Sequence, residues 1–181
     1  MTASNTSKVK TEKQTLTNKE FAIGMAKSLF AVILCFSAIQ LFSAKYSFGY
    51  DGTTGEHCLP YTLFIIDKQD KQLDRHNLFA FYSKNMNPYY PNGTIVVKEL
   101  AGIPGDRVVV NEGKVYVEGK LRGDLPHVKK LKKKNSDYQR DELVPAGKYW
   151  AMGTLPKSYD SRYWGYVDSE RQVIGKAYPI F

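Results

Sequence analysis

The sequence predicts an all-β domain behind a single N-terminal transmembrane helix. Two observations support this fold class. An uncharged, mostly apolar stretch of 17 residues runs from Ser28 to Ala44, and the rest of the chain contains β-branched runs that are broken by glycine. No long helical period follows residue 45. The 181 residues therefore suit one modest domain, a membrane anchor and a polar tail in front of it.

The N-terminal part of the chain divides into a tail and an anchor. Residues 1–20 are polar and are expected to be disordered, whereas residues 21–44 reach the roughly 20 residues that a bilayer requires. A buried core helix and a cleaved signal peptide are the alternatives. The run is longer than a signal-peptide core, and bulky Phe42 occupies the position where cleavage after Ala44 would require a small residue, so an uncleaved anchor is favoured. Lysines concentrated before the apolar run place the N-terminus in the cytoplasm and residues 45–181 outside.

Residues 45–181 are predicted to form the β-rich domain. Residues 111–114, with the sequence NEGK, indicate a hairpin turn between two of the strands. The charged stretch 127–141 contains five lysines and is expected to be a mobile loop with a solvated face, or alternatively a contact for anionic lipid headgroups. The predicted strands lie in residues 62–67, 94–100, 106–113, 114–119, 148–153 and 173–181.

Composition excludes several classes of function. The net charge of +8 suits either nucleic acid or an anionic membrane surface, but no groove-reading motif is present, so nucleic acid is not expected as a partner. Cys35 lies in the apolar run and Cys58 in the soluble part, so both thiols are expected to be unpaired. The three histidines are scattered, and neither a metal site nor a cofactor is expected.

Two segments carry candidate catalytic residues. Cys58 lies two residues before Pro60 in a turn that leads into a strand, where a thiol is either a small buried side chain or an exposed nucleophile. Lys98 interrupts a β-branched strand. Strand alternation favours solvent exposure of this lysine, whereas burial would disfavour its charged form and allow it to act as a general base. After it, Pro104 and Gly105 predict a tight turn in which glycine has a positive φ.

A third segment, residues 155–167, adds supporting groups. Ser158 offers a hydroxyl for a hydrogen bond. Asp160 and Arg162 are spaced so that they can form an ion pair that fixes the loop, which is also the role of an ordinary structural pair.

At these residues the chain resembles the type I signal peptidase family. VVKELAGIPGD is similar to the family's lysine motif, SYDSRYWGYV to its last motif, and LVPAGKYWAMG and GKAYPIF to the segments around that motif. The short linker and the form CLPYTLF look most like the branch that processes conjugative pilins (TraF type). The resemblance implies a mostly antiparallel β domain on a membrane anchor, with Lys98 as base, Ser158 as the hydroxyl that orients it, and Asp160 and Arg162 as a supporting pair.

The resemblance also implies a function. The expected activity is endoproteolysis of an exported precursor, a conjugative pilin, at the periplasmic side of the bacterial inner membrane, with membrane lipid as the other partner. Cys58 stands where the family has its nucleophilic serine, and a Cys/Lys dyad is chemically reasonable because a thiol ionises far more readily than a hydroxyl. Glu56 is a second departure, because many family members have a hydroxyl residue two positions before the nucleophile, where it helps to bind the oxyanion. A carboxylate that pointed inward there would repel the developing oxyanion. Glu56 is expected to face solvent, and the oxyanion would then be bound by the Cys58 N–H and a hydroxyl of Thr53 or Thr54. The alternative is a catalytically inactive β module that binds the precursor or secretion partners.

Overall fold

The computed structural model describes residues 17–52 and 57–180. The chain divides into two compact units, residues 1–42 and residues 43–181. The first unit contains most of helix α1, Asn18–Lys45, and the second contains all the strands that the structure describes. Of the predicted tail, residues 1–20, positions 1–16 lie outside the described residues.

Helix α1 begins at a reciprocal capping box. The Thr17 hydroxyl accepts a hydrogen bond from the Glu20 backbone N–H at 3.4 Å, and the Glu20 carboxylate accepts one from the Thr17 N–H at 2.9 Å. None of the residues of α1 is buried, and the helix contains a strongly apolar stretch of 18 residues. The helix is therefore long and apolar enough to cross a membrane once.

The strands form two sheets in which every described pairing is antiparallel. They are β1 Tyr46–Tyr50, β2 Leu63–Asp67, β3 Leu78–Tyr82, β4 Ile95–Gly102, β5 Arg107–Asn111, β6 Lys114–Val117, β7 Lys120–Asp124, β8 Arg140–Leu143, β9 Lys148–Met152, β10 Val167–Asp168 and β11 Val173–Pro179. The larger sheet has the order β1-β2-β11-β3-β4-β9-β10 and the smaller one the order β7-β6-β5-β8. This architecture confirms the predicted fold class.

The predicted turns are present where the sequence placed them. Glu112 and Gly113 both have positive φ, of 49° and 80°, and join β5 to β6 in register, so the NEGK hairpin is confirmed. Gly105 has φ of 90° and follows Pro104, and the Asp106 N–H donates to the Ile103 carbonyl at 3.0 Å. This closes the predicted tight turn at the end of β4.

The lysine-rich stretch 127–141, which was expected to be a loop, has regular structure in part. It contains a short 3₁₀ helix, Asn135–Tyr138, and its last two residues belong to β8. His127, Val128 and Tyr138 are buried, and Val128 and Tyr138 join the apolar core around Trp150. These apolar anchors order the segment, while its five lysines remain exposed as expected.

Strand β4 lies inside the larger sheet, between β3 and β9. The Lys98 side chain on this strand is buried, with only 1% of its surface exposed, so the solvent exposure favoured by strand alternation is wrong. The alternation itself is correct, because Lys98 shares its strand face with buried Val96 and Leu100. The strand face that carries Lys98 is covered by other parts of the domain.

Candidate active site

Three segments that are distant in sequence meet beside β4. Cys58 lies in the bend between β1 and β2, Lys98 on β4, and Ser158 in the loop between β9 and the short helix α2, Ser161–Trp164. The Lys98 Nζ donates a hydrogen bond to the Ser158 Oγ at 3.3 Å. The Leu155 N–H donates to the Cys58 carbonyl at 3.2 Å, which ties the bend to the Ser158 loop.

The Cys58 thiol is partly buried, and its electrostatic surroundings favour ionisation. Burial by itself raises its pKa, but the charge of Lys98 and hydrogen bonds with Lys98, Ser158 and Tyr90 outweigh burial, so the pKa is lower than that of an ordinary cysteine. A lowered pKa increases the fraction of a thiol that is ionised at neutral pH, and the thiolate is the reactive form of cysteine. Cys35, by contrast, is exposed on α1.

The loop that carries Ser158 is held by a buried ion pair. Both Asp160 and Arg162 are almost fully buried, and two parallel hydrogen bonds of 2.8 Å join the guanidinium to the carboxylate. Arg162 also donates to the Ser158 carbonyl at 2.9 Å and to the Asp124 carbonyl at 2.6 Å. The Asp160 carboxylate accepts the Gly153 N–H at 3.0 Å, so the pair connects the loop to the end of β9.

Gly153 makes room for this arrangement. A Cβ atom at this position would lie 2.1 Å from the Ser158 Oγ and 2.5 Å from the Cys58 carbonyl oxygen. Only a residue without a side chain allows the Cys58 bend and the Ser158 loop to approach each other this closely.

A groove of about 590 Å³ opens in front of Cys58 and Lys98. Residues of β1, including Phe48 and Tyr50, and residues of β4, including Ile95 and Val97, line it. Two extended strands thus border a mostly apolar trough that leads to the thiol, a shape that suits an extended polypeptide segment.

The structure brings all five predicted site residues into one cluster. Sequence reasoning missed two residues of this cluster, Gly153 and Tyr90. The Tyr90 hydroxyl lies 3.5 Å from the Cys58 Sγ. Tyr90 belongs to the segment NPYYPNG, and the aromatic pair between two prolines just before the lysine strand was the available signal. The positions of Thr53, Thr54 and Glu56, which bear on the oxyanion, lie outside the described residues. Within the described ranges, no group of His, Cys, Asp and Glu side chains could hold a metal ion.

Comparison with known proteins identifies relatives of this chain. Residues 22–181 match the family model described as "Signal peptidase, peptidase S26". "Signal peptidase IB" of Staphylococcus aureus (strain Mu50) is 30% identical over 128 residues, which cover 62% of this chain and 62% of that protein. "Probable signal peptidase I-2" of Synechocystis is 34% identical over 91 residues, covering 47% of this chain and 37% of that protein.

A crystal structure of a signal peptidase I from Enterococcus faecalis V583 is 30% identical to this chain, with a TM-score of 0.38. The match covers 59% of this chain and 97% of that one. The chain spans about 62% of the length of the Staphylococcus relatives that it matches.

Proposed function

This chain belongs to the signal peptidase family, peptidase S26, and we propose that it is a membrane-anchored endopeptidase that removes the leader segment from an exported precursor. The observation that carries the proposal is Lys98, which is 1% exposed and whose charge and hydrogen bond lower the pKa of the Cys58 thiol. A buried lysine beside an ionisable nucleophile is one of the arrangements that can activate a nucleophile for amide cleavage.

The proposed reaction uses Cys58 as nucleophile and Lys98 as base. Lys98 takes the thiol proton, and the thiolate forms a C–S bond with the scissile carbonyl carbon while the carbonyl π electrons move to oxygen. Collapse of this intermediate breaks the C–N bond, and the Lys98 ammonium returns the proton to the leaving amine. Lys98 then takes a proton from water, which attacks the thioester and releases Cys58 as thiolate.

The other cluster members hold Lys98 in place for these steps. Ser158 accepts a hydrogen bond from the Lys98 Nζ, which directs the nitrogen lone pair away from Ser158 and leaves it available to the sulfur. The buried Asp160–Arg162 pair fixes the Ser158 loop through its carbonyl. The proposed role of Asp160 and Arg162 is to position the loop, because neither side chain forms a hydrogen bond with the Cys58 thiol.

The finer features of the proposal concern the membrane and the substrate. We place α1 as a single span in the bacterial inner membrane, with residues 45–181 on the periplasmic side, because lysines concentrate before the apolar run. The substrate proposed is a conjugative pilin precursor whose extended segment lies in the groove between β1 and β4, with small residues just before the scissile bond. This choice rests on the short linker after Lys98 and the CLPYTLF segment.

The test is precursor cleavage by the full chain in detergent, with a candidate pilin precursor followed by gel and mass spectrometry. Cys58→Ala and Lys98→Ala should each abolish cleavage, whereas the matched control Cys35→Ala, which removes the thiol on α1, should retain it. Normal cleavage by Cys58→Ala would show that the nucleophile has been wrongly assigned.

The second candidate function is a non-catalytic β module that binds the precursor. It is disfavoured by the Cys58 environment, which stabilises a thiolate that a pure binding module does not need. Alkylation by iodoacetamide separates the two functions, because the peptidase requires Cys58 to react faster at neutral pH than a model thiol such as glutathione. A rate no faster than glutathione would favour the binding module.

A further inference from the structure

Tyr90 contacts both members of the proposed dyad. Its hydroxyl lies 3.5 Å from the Cys58 Sγ, and its ring lies 5.7 Å from the Lys98 Nζ, which faces the π system. The residue also lines the groove in which the substrate segment is proposed to lie. This contact joins Tyr90, in the loop before β4, to Cys58, which lies 32 positions earlier in the chain.

The loop holds Tyr90 in place before any substrate binds. The Tyr90 N–H donates to the Met86 carbonyl at 3.1 Å, and the two residues form an isolated antiparallel bridge. Met86 is buried in the core at 1% exposure. The Tyr159 hydroxyl donates to the Asn87 carbonyl at 2.8 Å, which attaches the loop to the segment that carries Ser158. The hydroxyl of Tyr90 is therefore presented to the sulfur by a pre-organised backbone.

The chemistry of the pair decides which atom donates. Burial raises the pKa of Tyr90, and the neighbouring Cys58 charge raises it further, so the phenol keeps its proton wherever the thiol has lost its own. A phenol that stays protonated beside a thiolate donates its hydrogen bond to sulfur. This hydrogen bond is one of the contacts that lower the pKa of Cys58.

We propose that Tyr90 is a third catalytic residue, whose hydroxyl donates a hydrogen bond to the Cys58 thiolate and orients the sulfur toward the groove. The proposal rests on Cys58 being the nucleophile. Tyr90 keeps its proton throughout the reaction: Lys98 carries the proton from thiol to leaving amine, while the Tyr90 O–H releases the sulfur as the C–S bond forms. The same O–H receives the thiolate again when the thioester is hydrolysed.

Tyr90→Phe isolates this hydroxyl, because phenylalanine keeps the ring that faces Lys98. Tyr89→Phe is the matched control. The Tyr89 hydroxyl is buried and has no hydrogen-bond partner among the residues that the structure describes, and its ring packs against Tyr159 at 4.6 Å. Both variants are made in a Cys35→Ser background, in which Cys58 is the single thiol of the chain.

Two assays are applied to these variants: the pH dependence of iodoacetamide alkylation, and the kinetics of precursor cleavage, which give kcat and KM. Tyr90→Phe should move the alkylation midpoint to higher pH and lower kcat at neutral pH about 10-fold, with KM changed less than twofold, because a hydrogen bond to a charged acceptor is lost. Tyr89→Phe should leave the alkylation midpoint, kcat and KM unchanged. Thermal unfolding of the two variants checks that their folded states are equally stable.

An unchanged alkylation midpoint in Tyr90→Phe, or an equal shift in both variants, would overturn the role of Tyr90. Either result would leave the peptidase proposal intact as long as Cys58→Ala is inactive. Conversely, full activity of Cys58→Ala would remove the proposed nucleophile, and the alkylation profile would still report whether Tyr90 hydrogen-bonds to the sulfur. The two proposals therefore fail by different measurements.

Discussion

Substituting Gly153 by alanine should disable the site with limited damage to the fold. The new Cβ would lie 2.1 Å from the Ser158 Oγ, and real Cβ atoms essentially never approach another atom closer than 3.0 Å. The two atoms must therefore separate by about 0.9 Å, the difference between these distances. The hydrogen bond from the Lys98 Nζ to the Ser158 Oγ is already 3.3 Å long, so a displacement of this size is enough to break it. The Cys58 bend, 2.5 Å from the same Cβ, would also have to shift.

The expected magnitude follows from this displacement. Overpacking of a buried position costs about 1–3 kcal/mol of unfolding free energy, and a misplacement of about 1 Å at reacting groups costs about 100-fold in rate. We expect Gly153→Ala to lower kcat for precursor cleavage about 100-fold, measured per folded molecule after urea unfolding has established the folded fraction. Gly102→Ala is the control, since its Cβ would meet the Trp150 Cβ at 3.0 Å in the core. Gly102→Ala should lower stability without changing kcat, and full activity of Gly153→Ala would refute the reasoning.

Three further predictions concern charged groups of the domain. Lys98→Met should raise the pKa of Cys58, because the main favourable charge is lost, and iodoacetamide should then alkylate the thiol more slowly at pH 7; an unchanged rate would contradict this. Arg162→Met should cost about 3–5 kcal/mol in urea unfolding, because a buried carboxylate loses its partner; a cost below about 1 kcal/mol would mean that the pair is dispensable. A hydrogen bond from Lys148 lowers the pKa of Asp168 to about 2, so Asp168→Asn should lower Tm at pH 7. This difference should disappear as pH falls from about 4 to 2, and a difference independent of pH would argue against the ion pair.

Local features of the fold were readable from the sequence. The NEGK hairpin and the turn at Gly105 depend on backbone preferences of two or three adjacent residues, and the structure has both. Strands with β-branched runs, such as β5 and β6, were likewise predictable, because alternation is visible within a few residues.

Other strands were missed for physical reasons. The segment of β3, LFAFY, is a short apolar run that is buried on both faces and has no alternation to reveal it. The segment of β7, KLRGD, has little intrinsic strand preference, and it becomes a strand only because the Glu118–Gly119 turn folds it onto β6. In these cases the partner strand, rather than the local sequence, decides the structure.

The candidate site shows the same division. Cys58, Lys98, Ser158, Asp160 and Arg162 could be selected in advance, because each lies in a short motif of chemically distinctive residues. Their proposed roles remain predictions until variants are measured.

Tyr90 could not be selected in this way. Tyr89 and Tyr90 are adjacent and share the same prolines, and only the path of the loop decides that one hydroxyl meets the thiol while the other has no hydrogen-bond partner within the described part of the chain.

The sequence by itself determined an apolar segment of membrane-spanning length, the tight turns and the motifs that carry the reactive groups, because hydrophobicity and turn preference are properties of neighbouring residues. Only the tertiary structure decided that Lys98 is buried and that it lies beside Cys58 and Ser158. Burial of a strand face depends on which strands and loops cover it, and those come from residues 40 to 60 positions away along the chain.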